Sequence, residues 1–292
     1  MTYSFRAARR SEAKPLIGLY AESGCGKTWS ALMLARGFAG PSGKIGMIET
    51  EGGRGEAYVG REPVGDYLVC PIRGSFSPSA YGAAISAAEQ EKVDVLIVDS
   101  ASHEWEGAGG VLSMAADNQA KGTKGVLVWQ QPKIEHQRNF MLRLMQTPIP
   151  LVIVCMRAKY PMHQVKGEWA RSTVLEPKQA DDILFEMMIH GWIDQDHKLH
   201  VTKYTLPELA EVIPDGQPIT IETGEALAAW ARGEELTAAE WDLKLADAAK
   251  LGKVELRRVY AKIPKAIRPE LDNALNTRHL PSASDADTRA PA

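Results

Sequence analysis

Four side chains in this sequence are of the right type and spacing to handle a polyphosphate: Lys27, Thr28, Glu51 and Asp99. Lys27 and Thr28 close the run Glu22-Ser23-Gly24-Cys25-Gly26-Lys27-Thr28, which follows an apolar stretch at 16–20 and precedes a helical pattern at 29–38. A strand, a small-residue turn and a helix opening on Gly-Lys-Thr form the context of a phosphate-binding P-loop. Successive turn N–H groups form an anion nest, and the helix adds its positive dipole end. Lys27 can then reach the β- and γ-phosphates of a nucleotide as a point charge, while the Thr28 hydroxyl can ligate Mg²⁺. Ala21 stands where the first glycine of this motif is usual, and as the smallest side chain it still admits phosphate.

Asp99 ends the apolar run VDVLIVD. A carboxylate there, beside a P-loop, supplies the second half of a nucleotide–Mg²⁺ site; the alternative is a helix cap shared with Ser100. Glu51 follows a second strand in IETEGG and is the candidate general base, with Glu49 and Glu104 as rivals. The strand ends of an α/β sheet line its ligand crevice, so a base on that edge faces the nucleotide.

These residues need a scaffold, and the patterning supplies one. Short apolar runs at 15–20, 44–49, 66–72, 93–98 and 151–156 alternate with helical stretches at 27–38, 79–91, 103–120 and 126–146. Uniformly apolar, β-branched runs are buried on both faces, so the expectation is an α/β, doubly wound, mostly parallel sheet flanked by helices. Two further strands are expected at 182–193 and 198–204 with a turn at 194–197, and a long loop at 158–173. The expected organisation is a flexible arm at 1–14, an ATPase core at 15–215, a small C-terminal helical appendage at 216–280 and a disordered tail at 281–292. Thr237 and Glu240 form a capping box within the appendage, and Thr223 is read as the cap of a preceding helix.

Composition bounds the rest. At 45% hydrophobic and 24% charged residues over 292 positions, the chain can bury a real core. The formal net charge of −3 offers no global field for nucleic acid, so any such site is a local patch. Cys25, Cys70 and Cys155 form no CxxC pair and the histidines lack ligand spacing, which argues against zinc and against a disulfide framework. The apolar runs are too short to span a bilayer and no secretory leader is legible, so a cytoplasmic protein without membrane association is expected.

Together, ESGCGKT, MIETE, VLIVDS and PLVIVCMRAK resemble the RecA-type P-loop ATPase core over residues 15–204. The chain also resembles phage-encoded ATP-binding proteins of the AAA-like class, including core-only RecA-like single-strand-annealing proteins. The resemblance implies ATP and Mg²⁺ as cofactors, Glu51 as catalytic base and Asp99 as metal-binding carboxylate. It implies that Arg157, at the end of the 151–156 strand, senses the γ-phosphate, with Lys178 a further candidate cation. It also implies single-stranded DNA held by segments at 102–124 and 158–173, a homo-oligomer whose sites are completed by neighbours, and a single-strand-binding protein as a further partner. A phage-encoded protein of this kind would work in the host cytoplasm. From 122 to 173 eight lysines and arginines face only Glu135 and Glu168. Lys124, Lys159, Lys166 and Arg171 are the candidate phosphate contacts, and Tyr160 and Trp169 the candidate base-stacking rings. A DNA motor or helicase loader of the same fold, or a P-loop small-molecule kinase, are the competing readings. No Asn-Lys-x-Asp guanine-reading motif is present.

Overall fold

The computed structural model describes residues 5–165, 168–233, 237–263 and 267–289. The chain divides into two units, Met1–Gly233 and Glu234–Ala292.

The first unit is built on β1 (Leu16–Ala21), every residue of which is buried. Its chain turns through Gly24 and Gly26, both at positive φ, into α1 (Lys27–Ala39). Then come β2 (Ile45–Glu49), β3 (Leu68–Pro71), α2 (Pro78–Gln90) and β4 (Val95–Asp99). The start of α2 is set by Ser77, whose hydroxyl accepts the Ala80 N–H at 3.2 Å, and by Pro78 in the first turn. Two short helices follow, α3 (Ser102–Glu106) and α4 (Val111–Ala120). A 3₁₀ turn at Gly125–Trp129 leads into α5 (Gln130–Glu135), a π-type stretch His136–Met141 and α6 (Leu142–Gln146). Pro132 falls in the first turn of this arm, where its missing N–H costs nothing, so the helix runs on past it.

After β5 (Leu151–Lys159) come a hairpin of β6 (Met162–Val165) and β7 (Glu168–Arg171), the short β8 (Glu176–Pro177), and α7 (Asp182–Glu186). The unit closes with β9 (Ile189–Ile193), β10 (Lys198–Tyr204), α8 (Leu209–Val212), β11 (Gln217–Pro218) and α9 (Ile221–Arg232).

The sheet order is β11-β10-β9-β1-β5-β4-β2-β3. From β9 to β3 all neighbours are parallel, and β10 and β11 add an antiparallel edge. The fold is therefore α/β with a mostly parallel mixed sheet flanked by helices. Side chains alternate across the sheet into two cores: Ile17, Leu19 and Ala21 of β1 enter the layer under α1 and α9, while Leu16 and Tyr20 enter the layer under α2 and the π-type stretch. Helices α1 and α9 cross at Gly37 and Gly224. A Cβ on Gly37 would lie 2.0 Å from the Ile221 carbonyl, so only glycine permits this approach.

The register aligns the carboxyl ends of the central strands. Ala21 pairs with Arg157, Asp99 with Cys155, and Glu49 with Asp99. Residues that are more than a hundred positions apart in the chain thus meet on one edge.

Several expectations need correction. The segment 158–173 is not an irregular loop: β5 continues to Lys159 and β6 pairs with β7. Its alternation is hidden because β7 is exposed on both faces, leaving no apolar period to read. The apolar run expected as one strand from 182 is α7 followed by β9. Thr220, not Thr223, caps α9; Thr223 occupies the third helical position and reciprocates. The core extends past 215 to Gly233, because α9 packs on α1.

The second unit contains α10 (Ala238–Lys250), α11 (Lys253–Lys262), α12 (Arg268–Ala274), a π-type stretch Leu275–His279 and α13 (Leu280–Arg289). The Thr237–Glu240 capping box opens α10. Trp241, Leu245, Leu256, Ile263, Leu271 and Ala283 form its core. The tail expected to be disordered is helical over Leu280–Arg289, since its small Ala283 reaches that core and Asp287 accepts the Lys253 N–H. The remainder of that tail, like the first residues of the expected arm, lies outside the described residues.

Candidate functional site

At the carboxyl edge of the sheet lies a cavity of about 790 Å³, walled by the β1–α1 turn, the loop after β2, and the ends of β4 and β5. Glu22, Ser23, Gly24, Gly26, Lys27 and Thr28 line it. Cys25 belongs to the same turn, but its thiol is buried, and burial pushes its pKa up. The turn is pinned from β10's side of the sheet, where His197 Nδ1 donates to the Cys25 carbonyl at 2.9 Å. At Gly26 a Cβ would lie 2.7 Å from His197 Nδ1, and φ is +84°. Glycine is required there twice, by conformation and by space.

Lys27 and Thr28 open α1 and both reach Asp99. The ammonium lies 2.5 Å from Oδ1, and the Thr28 hydroxyl donates to Oδ2 at 2.5 Å. Burial works against a charge on Lys27, but Asp99 more than restores it, and its pKa is raised. The lysine is held cationic. Among the described residues no cluster of three or more His, Cys, Asp or Glu could hold a metal. The Thr28 and Asp99 oxygens nevertheless fit Mg²⁺, which takes few protein ligands and completes its shell with phosphate and water.

Three carboxylates competed for the role of base, and their surroundings separate them. Glu51 lines the cavity with its side chain 16% exposed, 3.5 Å from Arg54 and 3.8 Å from Arg157. Glu49 is buried and fully used. It accepts the N–H groups of Glu51 at 2.7 Å and Gly53 at 3.0 Å, and pairs with Arg73 at 2.7 Å. Glu49 therefore shapes the loop that presents Glu51. Glu104 is buried away from the cavity against His136 Nδ1, at 3.0 and 3.1 Å, and Gln179, at 3.2 Å.

Arg157 lines the cavity where β5 leaves the sheet, and Lys178 lies beside it, its N–H donating to the Arg157 carbonyl at 2.7 Å. Lys178 also pairs with Glu106 at 3.2 Å.

The cavity includes residues that the sequence reading missed. Arg54 and Tyr58 come from the glycine-containing loop after Glu51, Trp29 from α1, Asp196 and His197 from the β9–β10 turn, and Pro218 and Ile219 from beyond the expected core boundary. Trp29 and Tyr58 sit with ring centroids 5.7 Å apart. The glycines 52, 53 and 55 were the one visible hint that this loop turns back over the site.

The candidate DNA residues do not form one group. Lys159, Tyr160, Trp169 and Arg171 belong to β5's end and the β6–β7 hairpin. The Arg171 guanidinium stacks over Tyr160 at 4.6 Å and lies 3.9 Å from Glu22 at the cavity's edge. Trp169 is 69% exposed. Lys124 lies elsewhere, in a shallow cavity with Leu112 and Trp129, next to exposed Val126 and Leu127. Lys166 is outside the described residues.

Comparison of the sequence with protein-family models and with curated proteins finds no match. The site therefore rests on its own geometry. Among the described residues no helix is long and apolar enough to cross a membrane.

Proposed function

We propose that the chain is a Mg²⁺-dependent ATPase of the RecA-like P-loop type. On this reading it acts on single-stranded DNA in phage recombination or annealing, as a homo-oligomer in the host cytoplasm. One observation carries the nucleotide part: Lys27 and Thr28, at the start of α1, both bind Asp99 at 2.5 Å on the wall of a cavity that Glu51 and Arg157 also face. The parallel order β1-β5-β4 supports the reading in that it brings the β1–α1 turn, Arg157 and Asp99 to one edge of the sheet.

In this reading the turn N–H groups and Lys27 bind the β- and γ-phosphates, and Thr28 and Asp99 would hold Mg²⁺, which neutralises charge on the phosphates. Trp29 and Tyr58 offer apolar faces to a planar base. Glu51 orients water and takes its proton as it attacks the γ-phosphorus, the bond from that phosphorus to the β–γ bridging oxygen breaks and ADP leaves with the electron pair; Arg157 stabilises the charge on the transferred phosphoryl oxygens. The DNA part is supported by the exposed Trp169 and the Arg171–Tyr160 stack on the hairpin at the cavity's edge.

The test is ATP hydrolysis by the purified protein with and without single-stranded DNA over a salt series. DNA stimulation that fades with salt is the expected result. Turnover indifferent to DNA removes the DNA reading, and turnover unchanged in Lys27→Ala removes the site.

A further inference from the structure

The Arg157 guanidinium has two carboxylates near it but is hydrogen-bonded to neither. Glu51 lies at 3.8 Å and Glu106 at 4.0 Å. Its close partner is His103, whose Nε2 is 3.2 Å from the Arg157 terminal nitrogen. An arginine nitrogen can only donate, so His103 Nε2 accepts and the ring proton sits on Nδ1.

The other side of the ring agrees. His103 Nδ1 is 2.8 Å from the Thr50 hydroxyl. That hydroxyl gives its one proton to the Ser100 carbonyl at 3.2 Å and accepts the Ser100 N–H at 2.8 Å. One acceptor position is left, and the Nδ1–H fills it. The opposite tautomer would set N–H against N–H at Arg157. The Ser100 carbonyl is fixed in turn by the buried Tyr81 hydroxyl at 2.7 Å, and Phe76 packs on the imidazole at 5.0 Å. A rigid chain thus runs from the ends of β2 and β4 to a side chain that is itself half exposed.

We propose that His103 is a positioning residue that, as the neutral Nδ1–H tautomer, holds Arg157 off Glu51 and aims it into the phosphate end of the cavity. This rests on reading Glu51 as the base and Arg157 as the cation at the transferred phosphate. Without the imidazole acceptor, Arg157 is free to close the 3.8 Å gap and pair with Glu51, which would occupy both groups at once. The charged groups facing His103 are Glu51 after β2, Arg157 on β5, Glu106 on its own helix and Asp99 at the end of β4. Burial, and then Arg157, lower the His103 pKa against these carboxylates, which favours the neutral ring. Protonation would place an imidazolium N–H against the guanidinium and expel it.

Two measurements on the full-length protein test this. Long-range ¹H–¹⁵N NMR should show His103 as the Nδ1–H tautomer, titrating below an ordinary histidine, with its pKa rising in Arg157→Gln. An Nε2–H tautomer, or a titration that Arg157→Gln does not move, overturns the proposal whether or not the protein hydrolyses ATP. In steady-state assays His103→Ala should lower kcat by roughly tenfold with KM for ATP little changed, as expected for a misplaced catalytic group. His103→Gln, which keeps an acceptor toward Arg157 and cannot titrate, should recover most of kcat and lose the acid limb of the pH profile. Wild-type turnover matched by His103→Ala overturns the proposal. Absence of any turnover in the wild type sinks the ATPase reading instead, and the NMR result then decides the arrangement alone.

Discussion

Two buried acid–base pairs flank the end of β4, and they have opposite fates. Lys27–Asp99 joins the start of α1 to the last residue of the strand, with side-chain exposures of 12% and 3%. His136–Glu104 joins the π-type stretch to α3, five residues further along, with exposures of 2% and 0%. The first opens on a cavity of about 790 Å³. The second is closed in by Trp105 and Phe140, whose rings lie 5.5 and 5.9 Å from His136, and by Gln179. Burial and a charged partner are common to both. Access distinguishes them, together with the helix N-terminus and turn N–H groups that only the first possesses. A perturbed pair without a cavity is scaffold; the same chemistry at a cavity is a candidate site.

The largest effect should come from the open pair. Lys27→Ala should reduce ATP turnover by about 10²–10³-fold, as expected on losing a preorganised charge at the transferred phosphate, in a protein that still melts cooperatively. Steady-state hydrolysis and circular dichroism check both halves.

Glu104→Ala should do the reverse. It leaves the buried His136 Nδ1 without its hydrogen-bonded carboxylate and only the more distant Asp182 beside the ring, which costs about 3–5 kcal/mol of unfolding free energy, with turnover per folded molecule held within about threefold. Urea unfolding reads the loss. A Glu104→Ala variant that stays stable and loses turnover would erase the contrast between the pairs.

The closed pair also carries a pH signature. Burial raises the Glu104 pKa. Burial opposes charge on His136, but Glu104 and Asp182 more than restore it, and its pKa is raised as well. Both groups hold their protons more tightly folded than unfolded, so their contribution is full below the unfolded values and fades as pH rises through the folded ones. The melting temperature should therefore fall between about pH 6 and pH 8, around the ordinary histidine value, and the slope should flatten in His136→Gln. A melting temperature rising over that window would reverse the assignment.

Smaller still is the hairpin's share in DNA binding. Trp169→Ala should weaken single-stranded DNA affinity by about 1–3 kcal/mol through one lost stacking contact, leaving DNA-independent hydrolysis unchanged. Fluorescence anisotropy against an oligonucleotide measures it.

Legibility in the sequence followed the range of the interactions. The strand, glycine-rich turn and helix over β1 and α1 were readable because their causes are local: they lie within about two dozen residues, and Gly24 and Gly26 both take positive φ in the turn. Asp99 was readable because a carboxylate at the end of a uniformly apolar strand is conspicuous. The choice among Glu49, Glu51 and Glu104 was not readable. It depends on which of three nearby carboxylates is spent on backbone N–H groups, which on a buried histidine and which on neither. On α3 the side chains differ in role, His103 and Glu106 turning to Arg157 and Glu104 to the interior, and so short a helix carries no period from which to tell. His103 carried no signal either, because its partners Thr50 and Arg157 lie more than fifty residues away on each side.

The sequence alone determined the elements whose causes are local: the αL turn at Gly26, the caps at Ser77 and Thr237, the buried β-branched strands and hence the α/β class. Only the tertiary structure decided which charged groups share a cavity. Parallel pairing of β1, β5 and β4 sets Ala21 beside Arg157 and Asp99 beside Cys155, and that register is a property of the sheet rather than of any segment. Helix capping, turn hydrogen bonds and φ preferences act within a few residues and are written in the chain. Burial, charge pairing and access to solvent act across space, and they come into being only when the strands meet.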